Sequence, residues 1–160
     1  MRKLSLIFLV IWLFSINVFA QETRLVDEFG SLYCDDLLQR LDSLAVEVNN
    51  SPNQISYVIV YEGKYRKSVY DRKGNFIKHE SVLPMFGEST ERTRTMMDYL
   101  INFRRFPEEK IMFISGGFRE EHLVQLWIVP KGEKMPEIKP TLETMQYRKG
   151  TPIDICDGIG

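Results

Sequence analysis

Hydrophobic and polar positions divide the chain into short periodic blocks. Leu37, Leu38, Leu41, Leu44, Ala45 and Val48 recur three and four residues apart, which predicts a helix with one buried face. Cys34-Asp35-Asp36 precedes them, with acids suited to capping and to the positive end of the helix dipole. Asn49-Asn50-Ser51-Pro52 stops the run. A second helix is expected from Ser89-Thr90, carrying Met97, Leu100 and Ile101 as its stripe with Met96 beside it, and ending at Phe106-Pro107.

Between and around these helices the pattern is that of strands. Leu25 to Gly30 reads as a short strand ending in a turn, and Ile55 to Tyr61 is β-branched and aromatic, as a central strand should be. Ile111 to Ser115 and Leu123 to Val129 are two more, with Gly116-Gly117 as a turn and Trp127 as core. The order β-α-β-α-β-β predicts an α+β fold, an α/β two-layer sandwich in which one mixed sheet carries two helices on one face. The short loop around Phe118 to His122 favours an antiparallel hairpin between the last two strands.

Three segments lie outside this pattern. Met1-Arg2-Lys3, an apolar run from Leu4 to Phe14 and Val18-Phe19-Ala20 make residues 1–20 an export signal, cleaved before Gln21; the competing reading is an uncleaved anchor. Residues 62–88 form a basic insertion in the 21–130 domain, with Asp71-Arg72-Lys73-Gly74 as a hairpin turn. Its Lys64, Arg66, Lys67, Arg72, Lys73 and Lys78 interleave with Tyr65, Tyr70 and Phe76, which reads as an anion- or glycan-contacting arm or as a solvated insertion. Residues 131–160, with Pro136, Pro140 and Pro152, form an extended tail.

Composition then narrows the function classes. With 160 residues, 44% hydrophobic, the chain holds one sizeable core and is neither collagen-like nor disordered. Loss of the signal removes Arg2 and Lys3 and takes the formal net charge from −1 to −3, so nothing draws the domain to nucleic acid or to an anionic membrane. No stable membrane insertion is expected after cleavage. Export also bears on Cys34 and Cys156, the only two cysteines: an oxidising compartment favours their disulfide, and a tail too mobile to reach Cys34 would leave two thiols. His79 and His122 lack partners at ligand spacing, so no metal or other cofactor is expected.

Leu25-Val26-Asp27-Glu28-Phe29-Gly30, Leu41-Asp42-Ser43-Leu44-Ala45, Val58 to Gly63, and Arg92 to Leu100 together resemble the OmpA-like domain, a cell-wall-binding module of Gram-negative envelope proteins. The resemblance covers about residues 24–129. It implies that Arg92 matches the arginine with which that family, together with an Asp, grips the diaminopimelate of peptidoglycan. At the position of that Asp this chain has Lys64-Tyr65-Arg66, and a cation there would repel the ligand's ammonium. A further likeness, to uncharacterised exported bacterial proteins, rests on Asp27-Glu28-Phe29, Tyr61-Glu62-Gly63, Gly116-Gly117-Phe118-Arg119-Glu120 and Leu126 to Pro130.

No catalytic motif is present: there is no Gly-x-Ser-x-Gly elbow and no phosphate-cradling loop. Arg119 offers a planar fork to a carboxylate or phosphate, or pairs with a neighbouring acid; Arg92 contacts ligand or pairs with Glu88 or Glu91. The expectation is a non-enzymatic protein of the bacterial cell envelope, periplasmic or extracellular. It would bind peptidoglycan or an envelope protein near Arg92, Arg119 and Arg66. An exported enzyme with a site invisible to motifs is the alternative.

Overall fold

The computed structural model describes residues 22–156, so the export signal expected over residues 1–20 lies outside the described residues. The chain forms β1 (Arg24–Phe29), α1 (Cys34–Asn49), β2 (Gln54–Tyr70), β3 (Phe76–Val82), α2 (Glu88–Met97), β4 (Ile111–Glu121) and β5 (Leu123–Pro130). The fold is α+β, and its order is β-α-β-β-α-β-β because the basic insertion supplies a strand of its own. Among the described residues no helix is long and apolar enough to cross a membrane.

The sheet is organised around β2. Its first part pairs in parallel with β4 on one edge and antiparallel with β5 on the other, and β5 in turn pairs with β1. The expected β4–β5 hairpin is therefore absent. The two strands are separated only by His122, yet they flank β2 instead of pairing with each other. The linker crosses directly over Gly63, whose missing side chain makes room: a Cβ there would lie 2.3 Å from the Glu121 carbonyl carbon. The His122 N–H donates to the Lys64 carbonyl at 2.9 Å and anchors the crossing. Beyond it β2 continues away from the body and pairs only with β3, from Tyr65–Val82 to Tyr70–Phe76. This two-stranded arm turns at Asp71, whose carboxylate accepts the N–H groups of Lys73 and Asn75.

Both helices bury their apolar faces on the same side of the sheet, in one core with Val58, Val60, Val124, Leu126 and Ile128. On α1 the buried set is Cys34, Leu37, Leu41, Leu44 and Val48, close to the predicted stripe. Asp35 and Asp36 occupy its first turn and do not cap it. On α2 the stripe is rotated from its expected position: Met96 and Leu100 are buried, whereas Met97 is 39% exposed. The helix continues as a π-helical turn, Asp98–Phe103. Tyr99, near its start, and Arg104, at its end, both donate to Asp42 of α1 and tie the two helices together.

The other face of the sheet is buried as well, which is why Ile59 and Tyr61 are as inaccessible as Val58. Trp127 on β5 is only half-buried, with its indole N–H donating to Gln125. The tail forms a strap. Lys139 N–H donates to the Tyr61 hydroxyl, Pro140 packs on Gly117, and Thr141 and Leu142 donate to the Phe118 carbonyl. The turn expected at Gly116-Gly117 is instead a bulge inside β4, which runs on to Glu121, and Gly117, at φ 80°, takes a left-handed conformation beneath this contact. The strap then reaches α2, where Thr95 donates to Asp154, and ends in the Cys34–Cys156 disulfide at the start of α1.

Candidate binding cleft

Where the arm leaves the body, the backbone opens a cleft of about 480 Å³. Four elements contribute walls: the Ser31–Tyr33 segment before α1, the β2–β3 arm, the first turns of α2, and the strap through Arg148 and Ile155. The arm is fastened at its base by the Arg66 N–H, which donates to the Ser31 hydroxyl.

The floor is set by helical spacing. Glu88, Arg92, Met96 and Leu100 follow one another at intervals of four, so the stripe that is core at its C-terminal end becomes charged where it emerges under the arm. Glu88 sits at the start of α2 and accepts the Met85 N–H at 2.9 Å. Its carboxylate lies between two guanidiniums, 3.6 Å from Arg92 and 3.5 Å from Arg148. Arg148 is itself held by donating to the Leu83 carbonyl.

Arg92 is 14% exposed at its side chain, and its guanidinium lies 4.3 Å from the centre of the Tyr65 ring. That ring stacks at 4.6 Å on His122, the crossing residue between β4 and β5. His122 Nδ1 donates to the Tyr61 carbonyl, leaving Nε2 with its lone pair. Burial, reinforced by the Arg92 charge, pushes the imidazole down to about 3, so it is neutral at physiological pH. The Tyr65 hydroxyl is held well above the usual tyrosine range, chiefly by burial.

Two polar atoms in this stack are unusual. The Tyr65 hydroxyl and the Arg92 Nε are both buried without a hydrogen-bond partner among the described residues. Buried donors are almost always satisfied, and an unmet one costs about 1–3 kcal/mol. Each is a donor that the surrounding side chains leave unmet. Arg66, Lys67 and Arg148 add positive charge around them, against the single lining carboxylate of Glu88.

Of the residues singled out from sequence, Arg92 and Arg66 come together in this cleft, with Arg92 paired to Glu88 in a buried setting. Arg119 does not join them; its guanidinium lies over the Tyr61 ring at 4.7 Å, on the face carrying the strap. The sequence placed Tyr65 in the basic arm and offered Glu88 as a partner of Arg92, and both are found here; it gave no site role to His122 or Arg148. The spacing of Glu88 and Arg92 ahead of Met96 was the signal for that pair, while His122 and Arg148 reach the site only through the tertiary fold. No group of three or more His, Cys, Asp or Glu among the described residues could hold a metal ion. No protein-family model matches the chain, and no curated protein or solved structure matches it either.

Proposed function

We propose that this is an exported, non-enzymatic bacterial envelope protein that binds a carboxylate-bearing cell-wall component in the cleft. The observation that carries the reading is that Arg92 and Tyr65, each with one unsatisfied buried donor, line a cleft with an excess of cations. A planar guanidinium recognises a carboxylate through parallel N–H donors, and a partly buried setting strengthens that contact. Kinship to the OmpA-like domain belongs to the same proposal. It is supported by the two helices on one sheet face and by Arg92 lining the cleft, while Lys64 and Arg66 stand where the family has its Asp and the one lining carboxylate, Glu88, is already held between Arg92 and Arg148. The expected ligand therefore engages through its acid groups alone.

Purified sacculi should retain the wild-type protein and release Arg92→Gln, with retention falling as salt is raised. Equal retention of both proteins would overturn the assignment of the site.

One contact favours the enzymatic alternative: the Ser68 hydroxyl lies 3.3 Å from His79 Nδ1 at the cleft rim. No carboxylate orients the other ring nitrogen among the described residues, which leaves the pair short of an activated nucleophile. Labelling of Ser68 by a fluorophosphonate would reverse that judgement.

A further inference from the structure

The cleft does not end at Arg92. Tyr33, Tyr70 and His79 line its outer part, and the ring contacts continue along the arm. The Tyr33 and Tyr70 hydroxyls are 3.3 Å apart, the Tyr70 and Phe76 rings 6.1 Å, and the Phe76 and His79 rings 4.8 Å. A one-residue bulge makes this row. Val69 pairs with Lys78 and Tyr70 with Phe76, so Ile77 is the extra residue and Phe76 falls on the same face as His79. Without the bulge the two-residue alternation of a strand would send them to opposite faces.

The row is exposed, with Tyr70 and Phe76 each at 53%, on a ribbon with little hydrophobic cover. Large rings held outward in a defined row, next to hydroxyls and cations, form an amphipathic platform with little conformational entropy to lose on contact. Sugar rings suit such a surface, since their C–H faces pack on aromatics while their hydroxyls meet Tyr33, Ser68 and Tyr70. At about 480 Å³ the cleft is also larger than one carboxylate requires.

We propose that the ligand is an acidic polysaccharide bound as an extended chain. One carboxylate sits at Arg92 and Tyr65, and neighbouring sugar rings lie along Tyr33, Tyr70, Phe76 and His79. This inference rests on the anion-binding reading of the cleft and adds the class and length of the ligand.

The test uses galacturonate monomer and hexamer, a neutral glucose hexamer and hexaglutamate as probes, with binding followed by calorimetry and amide NMR shifts. The galacturonate hexamer should bind about tenfold tighter than the monomer. Tyr70→Ala/Phe76→Ala, at exposed positions, should bring the hexamer back to the monomer's affinity, and Arg92→Gln should abolish both. Equal affinity for monomer and hexamer, or for hexaglutamate and galacturonate hexamer, would overturn the glycan inference. If Arg92→Gln still abolished binding in that case, the anion-binding reading would stand. Neutral hexamer binding as tightly, or Arg92→Gln binding unchanged, would remove both; so would no binding of any acidic probe.

Discussion

At the scale of single residues, Gly63 and His122 carry the largest structural consequences. Gly63 is where the chain passes over itself, and the atoms a side chain would strike are backbone, which cannot move aside. Gly63→Ala is therefore expected to destabilise the fold by about 3 kcal/mol or more, measurable by urea denaturation. An unchanged midpoint would show that the crossing tolerates displacement. His122 adds a pH dependence of definite sign. The unfolded chain protonates it near 6.5, whereas the native imidazole resists protonation down to about 3. Between those values the unfolded state binds the extra proton, so native stability falls as pH is lowered through this window. For this residue alone the loss from pH 7 to pH 5 is about 2 kcal/mol. The measurement is the difference in pH dependence between wild type and His122→Gln, since the variant lacks the titration. Parallel curves would refute the assignment.

At the scale of elements, the start of α2 joins folding to binding. Glu88 accepts the Met85 N–H and separates Arg92 from Arg148, so its removal leaves an unmet donor and two facing cations. Glu88→Ala should lower stability by about 2–3 kcal/mol, with Glu88→Gln losing less because its amide oxygen still accepts the N–H. Thermal melts of the two variants would check the ranking. The helices and most strands were legible in the sequence because periodicity is a local property, written in which residues recur at three, four or two. The rotation of the α2 stripe from Met97 to Met96 was not. Met96, Met97, Leu100 and Ile101 satisfy helical spacing in more than one way, and the position of the sheet decides which pair faces it. The arm's second strand was legible only through the turn at Asp71 that precedes it, since β3 is exposed along nearly its whole length and lacks the alternation of a half-buried strand.

At the scale of the whole molecule, the strap closes the structure. It covers Tyr61, delivers Arg148 and Ile155 to the cleft, and is fixed by a disulfide that spans 122 residues. Cross-linking over that length is worth about 4–5 kcal/mol in the chain-entropy model. Reduction by a dithiol should lower the melting temperature by about 10 °C or more and expose residues 131–156 to proteases. Full reduction with unchanged melting and cleavage would show that the strap's non-covalent contacts hold it alone. The Gly116-Gly117-Phe118-Arg119 segment belongs to this scale: it receives Pro140, Thr141 and Leu142, and Arg119 lies over Tyr61.

The sequence by itself determined the α+β class, the places of both helices, the hairpin turn at Asp71 and the cysteine pair available for a bridge. These follow from side-chain periodicity, turn chemistry and residue counts, all of which act over a few neighbouring positions or none. Only the tertiary structure decided that β4 and β5 flank β2, that Arg92 and Arg66 share a cleft while Arg119 faces away, and that Tyr65, His122 and Arg148 meet there. Those outcomes depend on one glycine-sized gap and on a strap arriving from the far end of the chain. Contacts between residues so distant in sequence are settled by packing and leave no periodic trace in either partner.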